Sequence, residues 1–176
     1  MPTVKEVLND TKKRLKEQGI DTYSLDSSLL VSEVTGLTKI QLVTHDRDEV
    51  TEEQLNILEN LVKERLKNKP MQYILGHCEF MGLDFKVTEN TLIPRGDTEN
   101  IVEEVIATIE NSGYNTVLDM CTGTGAIAIS VAHYTKAKVT ASDISSKALE
   151  VARENAKILN ADVNFIESDL FENINE

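Results

Sequence analysis

Asp119, Gly123, Gly125 and Asp143 have the residue types and spacing to do chemistry in this 176-residue sequence. The two glycines lie in "LDMCTGTGAIAIS" (118–130), where an apolar strand passes through a short turn into an Ala/Ile-rich helix. Glycine in such a turn lets backbone approach a ligand where a side chain would collide, and Thr122 and Thr124 place hydroxyls beside it. Asp143 follows Gly123 by 20 residues and closes the next strand, a position from which a carboxylate accepts both hydroxyls of a ribose. A charge-assisted hydrogen bond of this kind contributes about 1.5–3 kcal/mol. The pattern predicts a nucleoside cleft at the carboxyl ends of parallel strands.

Two nucleosides fit the glycine spacing. Gly123-x-Gly125-x-x-Ala128 satisfies the dinucleotide fingerprint in its G-x-G-x-x-A form, which would make the protein an NAD-dependent oxidoreductase. Asp119, four positions before Gly123, argues against that reading, because a carboxylate repels a pyrophosphate. It attracts the ammonium and sulfonium of S-adenosylmethionine, which carries no phosphate. Asp169, in "ESDLF", adds a third acid at the end of a third strand, near where an adenine amino group would lie. Three acids at three successive strand ends suit a cationic nucleoside better than a polyphosphate.

The elements around these residues are readable from periodicity and punctuation. Residues 1–75 read as a small helical bundle with no catalytic constellation. One helix follows Thr3 and ends near Gly19, a second follows Ser24 and ends before Gly36, a short third begins near Thr38, and a fourth runs from Thr51 to before Pro70. Thr3 with Glu6, and Thr51 with Gln54, form capping boxes, each contributing about 1 kcal/mol. Residues 76–95 read as a hairpin linker around Gly82, and Asp97 is expected to cap a helix ending near Gly113. Strand 116–120, a helix from about Gly125 to Tyr134, strand 138–143, a helix from about Ser145 to Leu159, and strand 163–168 then alternate. That β-α-β-α-β series predicts a parallel, Rossmann-like α/β sheet over 96–176.

Charge excludes some partners. Residues 1–75 carry 11 basic and 13 acidic side chains and residues 76–176 carry 7 and 17, so no basic stripe is available to displace counterions from phosphates. Direct nucleic-acid binding is therefore not expected. No apolar run is long enough to span a bilayer, and "MPTVKEVLND" lacks the basic-then-apolar signature of a secretory leader, so the reading is cytoplasmic with no membrane partner. Cys78 and Cys121, and His45, His77 and His133, are scattered without ligand spacing, so no metal is expected.

Taken in order, "LIPRGDTE", "VLDMCTGTGAIAIS", "ASDISSKALEVARENA" and "ESDLF" behind a helical domain resemble the HemK/PrmC-type protein glutamine methyltransferases that modify peptide-chain release factors. The resemblance covers essentially the whole chain. It implies S-adenosyl-L-methionine as donor and, as acceptor, the side-chain amide of the Gln in the Gly-Gly-Gln motif of a release factor. It further implies that the helical domain docks that release factor. By the match of motifs, Cys121, Thr122, Gly123, Thr124 and Gly125 would wrap the methionine part, Asp143 would take the ribose, and Asp169 with Leu170 would border the adenine.

Several positions depart from the family pattern. Cys121 stands where a glycine is usual, Leu170 where an aromatic is common, and "RGD" replaces the more frequent "RPE". The family's acceptor-holding Asn-Pro-Pro-Tyr turn has no counterpart, since the only prolines are Pro2, Pro70 and Pro94. An amide nitrogen is too poor a nucleophile to react without being held in line, so no catalytic residue is assigned and this chain alone is expected to be inactive. The sequence reads as the N-terminal piece of a longer enzyme, with "TVLDM" left as an apolar sheet edge. The alternative of another class is a non-catalytic interaction protein.

Overall fold

The computed structural model describes residues 1–174; the last two residues of the 96–176 segment lie outside the described residues. The chain divides into two compact units, Met1–Leu75 and Gly76–Glu176.

The first unit is helical: α1 (Val4–Glu17), α2 (Tyr23–Thr35), α3 (Gln41–Thr44), α4 (Glu52–Leu66) and α5 (Met71–Leu75). Both capping boxes form, with Thr3 and Glu6, and Thr51 and Gln54, exchanging side-chain and backbone bonds at the helix starts. Val4, Val7, Leu15, Leu30, Val31, Leu58 and Val62 meet in one core because they recur at helical spacing along facing stripes. Two starts differ from expectation. α2 begins at Tyr23, before Ser24, because Ile20 O accepts the Tyr23 amide and Thr22 O the Asp26 amide. At α3, Thr38 and Gln41 exchange capping bonds, but the regular helix starts only at Gln41. α5, which follows Pro70, was not anticipated.

The second unit opens with an antiparallel hairpin, β1 (His77–Phe80) and β2 (Leu83–Lys86), in which Phe80 pairs with Leu83. Its two-residue turn has positive φ at both Met81 (53°) and Gly82 (71°), the mirror-image turn that matches strand twist. The Met81 amide donates to Glu99 Oε1 at 2.7 Å, and Tyr134 Oη donates to the Met81 carbonyl at 2.7 Å.

Helix α6 (Glu99–Ser112) is entered through a 3₁₀ turn, Gly96–Thr98, and this corrects the expectation for Asp97. The residue at the cap position is Thr98, already helical at φ −74°, ψ −19°, with no side-chain cap. A backbone that is already curled leaves no extended residue whose side chain could reach forward to the first amides. Asp97 contributes its carbonyl instead, accepting from Asn100 Nδ2.

Strands β3 (Thr116–Met120), β4 (Lys138–Asp143) and β5 (Val163–Glu167) form a parallel sheet in the order β3-β4-β5, alternating with α7 (Ala126–Tyr134) and α8 (Ser146–Ile158). The fold is therefore α/β and Rossmann-like over these elements. Val117, Val139, Ala141, Val163 and Phe165 pack with Ala128, Ile129, Val131 and Ala156 in one core. Alternate residues point to the other face, where Leu118 is 39% exposed. Among the described residues, β3 has a neighbour on one side only. No helix of the described residues is long and apolar enough to cross a membrane.

Candidate functional site

The carboxyl ends of the three strands are tied to one another. Past β3, the Thr122 amide donates to the Ser142 carbonyl at 3.0 Å, and past β5 the Ser168 amide donates to the Asp143 carbonyl at 3.1 Å. These bonds extend the ladders by one step and bring the chain segments 121–125, 143–145 and 167–170 alongside each other. Parallel strands with their exits on one end make this the expected ligand side of the sheet.

The loop from Cys121 to Gly125 has a tightly specified backbone. Cys121, Gly123 and Gly125 all have positive φ, at 61°, 57° and 80°. The two glycines serve different ends. A Cβ on Gly123 would meet nothing within 4 Å, so among protein contacts it is the left-handed conformation, not packing, that favours glycine there. A Cβ on Gly125 would lie 2.7 Å from Ile129 Cδ1 and 3.2 Å from Ala152 Cβ. Gly125 therefore lets α7 close onto α8. Cys121 takes a left-handed conformation that glycine adopts more readily, and its side chain is exposed.

Each acid in the region has a distinct task. Asp119, 9% exposed, accepts on Oδ2 from Thr122 Oγ1 at 2.6 Å and from the Ala128 amide at 3.2 Å. It reaches across the loop to the first turn of α7, holding both in place. Burial pushes its carboxyl above the usual range and the nearby Asp143 adds to the rise, while the two hydrogen bonds oppose it. Asp143 accepts the Gly123 amide on Oδ2 and the Ser145 amide on Oδ1, each at 2.9 Å. An ionised carboxylate has about four lone-pair sites, so Asp143 retains acceptor capacity after these two bonds.

Asp169 and Leu170 stand apart. Both are exposed, in a turn that begins one residue past the Ser168–Asp143 bond, and Leu170 has φ 48°. Ser168, which the sequence does not mark, organises this turn: it is 4% exposed, donates from Oγ to the Leu170 carbonyl and accepts from the Asn173 amide. No hydrogen bond among the described residues joins Asp169 to the glycine loop.

A cleft of about 220 Å³ opens beside the loop, lined by Cys121, Thr122, Gly123, Thr124, Ala126 and Ile127 on one side. On the other side are Phe80, Leu92, Ile93, Pro94, Arg95 and Thr98. Of the nine residues expected at the site, four line this cleft; Asp119, Gly125, Asp143, Asp169 and Leu170 do not. Asp119, Gly125 and Asp143 act on the loop's shape and charge from behind or beside it. A larger cleft of about 450 Å³ lies in the helical unit between α1 and α4, where Arg14 pairs with Glu59 through two bonds at 2.7 and 3.1 Å. That groove brings together no acids at strand ends and is separate from the glycine loop.

Asn155 is the residue that sequence reasoning missed. It is fully buried on α8, and its side chain bonds to both backbone groups of Lys86 and to the Thr124 carbonyl. The signal was present: an amide on the apolar face of an amphipathic helix, three residues after buried Ala152, has to be satisfied by something. Among the described residues there is no group of three or more His, Cys, Asp or Glu placed to hold a metal ion.

Residues 6–76 match the family described as PrmC N-terminal domain, and residues 100–176 match the one described as Methyltransferase small domain. The release factor glutamine methyltransferase of Clostridium acetobutylicum is 42% identical over 158 residues, which is 89% of this chain and 55% of that protein. That of Fusobacterium nucleatum subsp. nucleatum is 44% identical over 170 residues, 94% of this chain and 48% of that protein. That of Geobacter sulfurreducens is 38% identical over 171 residues, 97% and 60%. The chain thus spans about half the length of the curated relatives it matches. A solved structure, the Pyrococcus abyssi tRNA (uracil-54, C5)-methyltransferase in complex with S-adenosyl-L-homocysteine, overlaps 53% of this chain and 23% of its own at 26% identity and a TM-score of 0.45. Matched at 38–44% identity over most of its own length, and by the two family models over residues 6–76 and 100–176, the chain is similar to the release factor glutamine methyltransferases.

Proposed function

We propose that the strand-end site holds S-adenosyl-L-methionine, for methylation of the side-chain amide of the Gln in the Gly-Gly-Gln motif of a release factor. The observation that carries the donor assignment is the Asp119–Ala128 bond. In a dinucleotide site the first-turn amides of the helix after the glycine loop face a pyrophosphate. Here one of those amides is already taken by a buried carboxylate, which would repel a phosphate and welcome a cation.

The residues present fit the donor. Its chemistry when bound is an electrophilic methyl group carried on a sulfonium. Cys121 to Gly125 shape the backbone against the methionine part, and Asp119 supplies negative charge beneath the loop. Asp143 accepts the ribose hydroxyls with the lone pairs left by Gly123 and Ser145, and Asp169 with Leu170 borders the adenine. The helical unit, nearly neutral where the second unit is acidic, is the surface offered to the release factor. Methylation replaces an N–H of the amide by N–CH₃, so the nitrogen has to be held in line and its proton removed. The 176 residues contain no Asn-Pro-Pro-Tyr turn for that task, so on this reading the chain binds donor without turning over.

Calorimetric titration tests the donor assignment: S-adenosyl-L-methionine and S-adenosyl-L-homocysteine bind and NAD does not. Binding of NAD, or of none of the three, overturns it, and the last result would favour an interaction protein. A methylation assay on a release factor with this chain is expected to give no product.

A further inference from the structure

We infer that Asn155 is a positioning residue of the donor site, fixing the Thr124–Gly125 peptide so that the glycine loop is already shaped for its ligand. The inference rests on the donor reading above and assigns a role to a residue outside the cleft.

The geometry leaves little freedom at Asn155. Its Oδ1 accepts the Lys86 amide at 2.8 Å, while Nδ2 donates to the Lys86 carbonyl at 3.0 Å and to the Thr124 carbonyl at 2.9 Å. One acceptor and two donors are needed, and the carboxamide of asparagine supplies that set. Turning the amide over would set its oxygen against two carbonyls and its NH₂ against an N–H, so the orientation is determined by the partners. Aspartate would place a carboxylate against the same two carbonyls with nothing to donate.

What Asn155 grips is the hinge of the loop. The Thr124 carbonyl belongs to the peptide whose N–H, that of Gly125, donates to the Thr122 carbonyl at 2.9 Å. Both polar groups of this one peptide are therefore engaged, one by the loop and one by α8. Ala152, one turn earlier on α8, is the neighbour that a Cβ on Gly125 would crowd. Asp119 and Asp143 hold the Thr122 hydroxyl and the Gly123 amide, so each of three side chains takes a different loop group. The same carboxamide holds the end of β2, so the hairpin and the loop share one anchor. A loop held in its binding shape before the ligand arrives loses less conformational entropy on binding.

The test measures the affinity of S-adenosyl-L-homocysteine by calorimetry for the wild-type chain, Asn155→Ala and Asn155→Asp. The control is Val139→Ala, a core truncation in β4 of the same unit that loosens packing without touching the loop. The expected result is affinity about tenfold weaker for both Asn155 variants, the equivalent of one net hydrogen bond, with the control unchanged. A purely structural role would weaken Asn155 variants and control alike in step with their melting temperatures, and would overturn the inference. So would Asn155 variants that bind as wild type does. Failure of the wild-type chain to bind at all would overturn the donor reading itself. Should neither Asn155 variant fold, nuclear magnetic resonance on the wild-type protein decides. The Asn155 Nδ2 hydrogens are expected to be protected from solvent exchange without ligand, and the Gly125 amide to shift on adding S-adenosyl-L-homocysteine while that protection persists. Fast exchange, or an unmoved Gly125 signal at saturating ligand, overturns the proposal.

Discussion

Asp143 Oδ2 accepts the Gly123 amide at 2.9 Å, so the residue that closes β4 holds the glycine loop that leaves β3. One carboxylate thus shapes the loop and, on the proposed reading, meets the ribose. Asp143→Ala removes both roles and is expected to weaken S-adenosyl-L-homocysteine binding by about 10- to 100-fold, the equivalent of one or two charged hydrogen bonds. Calorimetry checks this, and an unchanged affinity would remove Asp143 from the site.

Asp119 opposes stability while serving charge. Burial raises its folded carboxyl above the ordinary 3.8. Its contribution to stability is then fully present below that value and is lost as pH rises through the folded pKa. Both of its hydrogen bonds fall on Oδ2, so asparagine can retain them through a single oxygen. Asp119→Asn is expected to melt higher than wild type at neutral pH, with the difference shrinking as pH falls and closing toward about pH 3, below the ordinary carboxyl value, where the group is largely protonated in both states. The same variant should bind S-adenosyl-L-methionine more weakly. Melting curves across that pH range read out the first effect, and a wild-type advantage at neutral pH would contradict it.

The two loop glycines should respond unequally to alanine. Both substitutions place a Cβ in a left-handed conformation, at about 1–2 kcal/mol. Gly125→Ala also collides with Ile129 and Ala152, so about 1–3 kcal/mol more is expected from overpacking. Urea unfolding should rank Gly125→Ala well below Gly123→Ala, and equal losses would contradict the packing role.

Cys121 carries the opposite expectation. At φ 61° a glycine relieves the left-handed strain but adds backbone entropy to the unfolded chain. The balance favours Cys121→Gly by less than about 1 kcal/mol, a gain visible in the midpoint of urea unfolding.

In the helical unit, Arg65 Nε donates to Asp26 Oδ2 at 2.7 Å, with side chains 15% and 4% exposed. Arg65 also reaches the Lys69 carbonyl and Thr22 Oγ1. Arg65→Met leaves the Asp26 charge buried without its cation, and a loss of about 3–5 kcal/mol is expected from denaturant unfolding. Replacing both partners with apolar residues should recover most of it, which separates the stranded charge from lost packing.

Much of this architecture is written in local chemistry. The Thr3 and Thr51 caps, the alternation of strands and helices after Asn115, and the Ser145 start of α8 follow from interactions within a few residues, and all three appear as expected. Asp97 was misjudged because a cap depends on the conformation of the residue that carries it. Here the incoming 3₁₀ turn, not the side chain, set that conformation.

The amino-acid order by itself determined the glycine loop, the acids at the strand ends and the family resemblance, because those signals lie in residue type and short spacing. Only the tertiary structure decided what each side chain does. It turned Asp119 into a brace for the first turn of α7 and Gly125 into a packing contact. It also joined Lys86, Thr124 and Asn155, residues 31 to 69 positions apart, through one buried amide. Such roles depend on which groups meet across the chain, and a buried polar atom has to find its partner wherever the fold brings one.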